Sequence, residues 1–66
     1  MRNTYIAISR SIPVVGFQFK CLRLEFKDGI PTFASVTTSL VTDVVPLGNN
    51  VYQVRTCNSI YMTQIG

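Results

Sequence analysis

The stretch Phe17-Gln18-Phe19-Lys20-Cys21-Leu22-Arg23-Leu24-Glu25-Phe26 decides the fold. Phe17, Phe19 and Cys21 alternate with Gln18 and Lys20, and a period of two is the signature of an extended strand. The phase then flips, so that Leu22, Leu24 and Phe26 alternate with Arg23, Glu25 and Lys27. A straight strand with one buried face would leave three large apolar groups in water. A β-bulge at Cys21-Leu22 resolves this by turning Phe17, Phe19, Leu22, Leu24 and Phe26 inward. The same bulge turns Gln18, Lys20, Arg23, Glu25 and Lys27 outward. The alternative is a strand whose two halves are covered by different partners. Long strands bent by a bulge are how small barrels turn their corners.

The rest of the chain supports a β reading. Val, Ile and Thr together supply 21 residues, while Ala occurs twice and Glu once, which favours strands and starves helices. The expected strands are Thr4–Ser9, Phe17–Phe26, Thr32–Val45, Val51–Thr56 and Ser59–Ile65. Lys27-Asp28-Gly29 supplies the positive φ of a tight hairpin, and Pro31 delays the next strand by a residue or two. The doublets Leu40-Val41 and Val44-Val45 predict a second bend. Pro46-Leu47-Gly48-Asn49-Asn50 is the next expected turn, and Cys57-Asn58 closes a last hairpin whose register stays open by one residue. Between the first two strands, Pro13 and Gly16 mark an irregular link. The expected fold is all-β: a small five-stranded antiparallel barrel or sandwich, SH3-like or OB-like, with a bulged second strand.

Length and composition bound the possibilities further. Sixty-six residues make one small domain, spanning 1–66. Charged residues are 14% of the chain, against about 25% in a typical soluble domain. Mean hydropathy is +0.29, so some apolar side chains are expected outside. A core this small barely offsets the entropy of ordering its chain, so self-association is the expected support. No apolar run reaches the roughly 20 residues of a membrane-spanning helix. Ser9, Arg10, Ser11 and Pro13 interrupt the apolar residues near the N-terminus, which is unlike a signal peptide and favours a cytoplasmic protein.

The chain has no His, and its acids are Glu25, Asp28 and Asp43. Acid–base catalysis needs a titrating pair, and a nucleophile needs a base beside it. A non-catalytic protein is therefore expected, with no cofactor and no metal. Cys21 and Cys57 are too far apart in sequence for a CxxC pair, and both are expected as reduced, partly buried thiols.

Three surfaces remain as candidates. Lys20, Arg23 and Lys27 would share one outer face under the bulge reading. With Tyr5, Tyr52 and Tyr61 as stackers they could hold nucleic acid, to which a net charge of +3 is mildly suited. A polar ladder of Ser35, Thr37 and Ser39, with Thr56, Asn58 and Ser59, reads first as solvent-facing strand and turn residues. The third is an interface edge at Ser59, Ile60, Tyr61, Met62 and Thr63, because an uncharged terminal strand invites pairing with another chain. That edge makes a self-associating module that binds another macromolecule the expected function. A small nucleic-acid-binding barrel is the alternative.

The C-terminal half carries one resemblance. Thr38-Ser39-Leu40-Val41, followed by Val54-Arg55-Thr56-Cys57-Asn58-Ser59-Ile60-Tyr61, resembles a pattern in small uncharacterised phage and bacterial proteins. There a Thr-Ser-hydrophobic segment precedes a T-x-N-S-x-Y hairpin. The resemblance implies a compact β protein of mobile-element origin and brings no activity or site.

Overall fold

A computed structural model describes residues 3–66 as five strands joined by turns. They are β1 (Asn3–Ser9), β2 (Gln18–Lys27), β3 (Ile30–Gly48), β4 (Val51–Thr56) and β5 (Ser59–Ile65). Each strand pairs with the next in sequence, and the ring closes between β5 and β1 into a barrel. The order is a simple meander, without the crossover of a Greek-key barrel such as the OB-fold. Successive hairpins reverse direction, so the first and fifth strands run the same way and must meet in parallel. They do so along the whole of β1, from Asn3↔Ser59 to Ser9↔Ile65, while the other four pairings are antiparallel.

This closure corrects the expected interface edge. Ser59, Ile60, Tyr61, Met62 and Thr63 are paired to β1 on one side and to β4 on the other, and Ser59, Tyr61 and Thr63 are buried. An uncharged strand here is not an open edge; both its edges are covered. The register of the last hairpin is also fixed, with Arg55↔Ile60 its final strand pair before Cys57-Asn58. Across that turn Ser59 N–H donates to Thr56 Oγ1 at 3.2 Å.

The bulge is real but lies elsewhere. From Lys20↔Thr37 to Lys27↔Ile30, β2 and β3 stay in unbroken register through Cys21-Leu22. The shift falls between Gln18↔Leu40 and Lys20↔Thr37, so the extra residue belongs to β3, at Thr38-Ser39 opposite Phe19. Thr38 is buried, and its Oγ1 accepts Phe19 N–H at 3.1 Å and sits 2.6 Å from the Ser39 carbonyl it donates to. A side chain thus satisfies the backbone donor that the bulge leaves without a ladder partner. Two further shifts lie between Val41 and Asp43 and between Pro46 and Gly48. With these, β3 curves enough to pair with β2 along its first part and with β4 along its second.

β3 is accordingly longer than expected. It begins at Ile30 and runs through Pro46, which pairs with Tyr52, so the turn shrinks to Asn49-Asn50. Gly48, Asn49 and Asn50 all have positive φ, which Gly and Asn adopt most readily. Asp28 and Gly29 also have positive φ, as a two-residue hairpin turn demands.

The core is Ala7, Phe19, Cys21, Val41, Val54 and Tyr61, with Tyr5, Val36, Val44 and Tyr52 packed against it. Four polar residues join it: Thr38, Thr56, Ser59 and Thr63. Thr is close to Val in shape, and each of these Thr hydroxyls reaches a backbone group nearby, as Thr63 Oγ1 does to the Tyr61 carbonyl at 3.3 Å.

Candidate functional site

Because β2 runs straight past Cys21, its second half presents the set of side chains that the bulge reading had placed inside. Leu22 and Phe26 are exposed on the outer side with Leu24 half-buried between them, and Phe17 is exposed as well. Neighbouring strands extend the same face. Leu22 pairs with Ile8 on β1, Leu24 with Phe33 on β3, and Phe26 with Pro31. Ile6 adjoins Met62 across the parallel seam. The result is an apolar outer face running over β1, β2 and β3. Phe26 is 67% exposed, Ile6 59% and Phe33 49%. Each such side chain forgoes on the order of 1 kcal/mol relative to full burial. Scattered exposed apolar residues are ordinary, but a contiguous face of them marks a binding surface.

The barrel is therefore partly inverted, with hydroxyls inside and hydrocarbon outside. Arg23 shows how far. Its side chain is about three-quarters buried, stacks over the Tyr5 ring at 4.4 Å from the centroid, and forms an ion pair with Glu25. Its Nε also donates to Glu25 Oε2, at 3.0 Å. Tyr5 in turn stacks on Tyr61, with centroids 5.4 Å apart. The hydrogen bond to Glu25 strengthens the hold of the guanidinium on its proton, so Arg23 stays charged with its charge already matched.

These contacts take apart the expected nucleic-acid face. Lys20, Arg23 and Lys27 do not share a surface: Lys20 is on the outer face, Arg23 is turned inward and paired, and Lys27 stands at the hairpin end of β2. Tyr5, Tyr52 and Tyr61 belong to the core or pack on it, so none offers a free face for a base. The polar ladder divides too. Ser35, Thr37 and Ser39 are exposed, as is Asn58, whereas Thr56 and Ser59 are buried.

The remaining polar and thiol groups have local roles. Asp43 accepts the Val44 N–H at 2.9 Å, Asp28 forms the β2–β3 turn, and Glu25 holds Arg23. Cys21 is buried and Cys57 is exposed, which corrects the expectation of two partly buried thiols. Burial pushes the Cys21 thiol pKa up, opposed in part by the Arg23 charge. Among the described residues no group of three or more Cys, Asp or Glu converges as a metal site would require.

An open groove of about 660 Å³ lies where β1 leaves the barrel, with Arg10, Lys20, Ser9 and Ser11 around an apolar floor of Ile8 and Leu22. Ser9 Oγ already accepts the Ser11 N–H at 3.1 Å and lies 3.2 Å from the Lys20 carbonyl, so this hydroxyl is committed to the loop. The groove and the apolar face meet at Ile8 and Leu22. No helix of the described residues is long and apolar enough to cross a membrane. No protein-family model, no curated protein and no solved structure matches the chain.

Proposed function

We propose that the protein is a non-catalytic β-barrel interaction module of the cytoplasm, which self-associates and binds another macromolecule. The observation that carries this reading is the contiguous apolar outer face on β1, β2 and β3, with Ile6, Ile8, Leu22, Phe26 and Phe33 exposed on a chain that has few charges. Covering such a face gains roughly 1.5–3 kcal/mol for each side chain that goes from exposed to buried. Against this stands an association cost of about 4–15 kcal/mol, so several of these side chains must be covered together. Resemblance to small phage and bacterial proteins suits a mobile-element module that engages a host protein.

The experiment is size-exclusion chromatography with light scattering, at low and high salt, with and without mixed oligonucleotides. An oligomer that persists in high salt and ignores oligonucleotides is the expected result, because apolar contacts barely respond to screening. The alternative, a nucleic-acid-binding barrel, would give a monomer that shifts with oligonucleotide at low salt alone. That outcome would overturn the reading.

A further inference from the structure

The link between β1 and β2 is a folded turn whose apolar side chains face water. Phe17 N–H donates to the Val14 carbonyl at 3.2 Å and closes a four-residue turn, with Gly16 supplying positive φ at its third position. Gly16 N–H donates to the Val41 carbonyl, and Val41 N–H to the Phe17 carbonyl, both at 2.9 Å, which fastens the turn to β3. Pro13, just before the turn, is buried. A Cβ added at Gly16 would meet nothing within 4 Å, so the apex stands clear of the barrel.

Ile12, Val14, Val15 and Phe17 are each more than half exposed, and so is Leu40, the partner of Gln18 in the ladder. Five apolar side chains thus gather where β1 stops and β2 starts, at the other end of β2 from its hairpin with β3. Charge borders this tip on one flank. Lys20 lines a hollow beside the turn together with Ile12, Val14 and Phe17, and it lines the neighbouring groove together with Arg10. Neither cation has an ion pair among the described residues, and no described acidic side chain lines either cavity. Glu25 is committed to Arg23, Asp28 to the far hairpin, and Asp43 sits opposite Arg55 in the β3–β4 ladder.

We infer that this tip docks on the surface of an anionic lipid bilayer. Val14, Val15 and Phe17 enter the boundary between headgroups and acyl chains, while Arg10 and Lys20 stay at headgroup level and meet the lipid anions. Peripheral attachment scales with buried apolar area plus attraction to anionic lipid, and the tip brings both to one place. A turn that bonds its own backbone leaves water at lower cost than an open loop. Its aliphatic and phenyl side chains offer a protein partner no directional contact, and a fluid hydrocarbon boundary needs none. On the cytoplasmic reading, the leaflet within reach is the anionic one. One turn and two cations make a weak, reversible attachment. The inference goes beyond the interaction-module reading and uses a different surface, so the two can fail separately.

Vesicle flotation of the full chain tests it, with vesicles of phosphatidylcholine alone or of equimolar phosphatidylcholine and phosphatidylserine. Wild type should float with the anionic vesicles at low salt and far less with the neutral ones. Arg10→Gln and Lys20→Gln should each weaken binding about fivefold at low salt, and high salt should shrink that loss. Val15→Ser/Phe17→Ser keeps the charge and should weaken binding roughly tenfold. All four positions are exposed, and circular dichroism on each variant checks that the barrel is intact. The chain has no Trp, so Phe17→Trp is a single reporter whose emission should shift to the blue on anionic vesicles. The inference falls if wild type does not float with anionic vesicles, or if the Trp emission stays put. It falls equally if Val15→Ser/Phe17→Ser floats as wild type does, since charge alone would then adsorb the protein. Light scattering without lipid reads the remaining outcome. A wild type indifferent to vesicles, whose oligomer is lost in Val15→Ser/Phe17→Ser, would show that a second copy covers the tip; that overturns the lipid inference and leaves the interaction-module reading standing.

Discussion

Thr38 is the residue on which the bend of β3 turns, and removing its hydroxyl makes a sharp test. Thr38→Val keeps the branched shape of the side chain but leaves the Phe19 N–H, now bonded to Thr38 Oγ1 at 3.1 Å, without a partner in a buried position. Val cannot accept that hydrogen bond, and the bulge denies Phe19 a ladder carbonyl. An unsatisfied buried backbone donor costs about 1–3 kcal/mol. A domain of this length has only about 3–10 kcal/mol of stability, so the loss is a large share of it. For such domains each kcal/mol moves the melting temperature by about 4–8 °C, which gives an expected drop of roughly 5–20 °C. Thr38→Ser keeps the acceptor and loses one buried methyl group, at about 0.8 kcal/mol. Thr37→Val, one residue away and exposed, should stay within about 0.5 kcal/mol of wild type. Thermal unfolding at one fixed low protein concentration reads all three, since association would otherwise enter the midpoint. A Thr38→Val protein as stable as Thr37→Val, or more stable than Thr38→Ser, would refute the role of the hydroxyl in holding the bulge.

The two thiols should separate cleanly: native protein takes one iodoacetamide label, at the exposed Cys57, and unfolded protein takes two, as read by intact mass. Because burial raises the folded-state pKa of Cys21, the stability it contributes is complete below the ordinary thiol pKa and is lost as pH rises from there through the raised folded-state value; denaturant midpoints should fall in the alkaline range, and less so in Cys21→Ala. Asn50 has φ of 62°, so Asn50→Ala should lower stability by about 1 kcal/mol while Asn50→Gly should not, by thermal unfolding. Arg23→Met removes the guanidinium from the Tyr5 ring and leaves Glu25 half-buried without its partner, so a loss of about 1–2 kcal/mol is expected. Arg23→Met/Glu25→Gln should recover part of that loss in a double-mutant cycle.

Local chemistry was readable in the sequence and long-range closure was not. Asp28-Gly29 announced its hairpin because few residue pairs accept two positive φ values in a row. β4 and β5 have the predicted bounds because turn residues flank both. The phase flip in Phe17–Phe26 was legible as a pattern but not as a cause. Period two says that a strand has two apolar faces, and it does not say which of them meets the core. Reading every apolar group as internal put a bulge at Cys21-Leu22 and grouped Arg23 with Lys20 and Lys27. What decides the matter is Thr38, whose hydroxyl makes a bulge opposite Phe19 favourable, and nothing in the alternation around Thr37-Thr38-Ser39 singles it out. The interface edge failed for a different reason. Whether Ser59–Ile65 is an edge depends on β1, which lies more than fifty positions away in the chain, and an uncharged strand suits a buried seam as well as an open one.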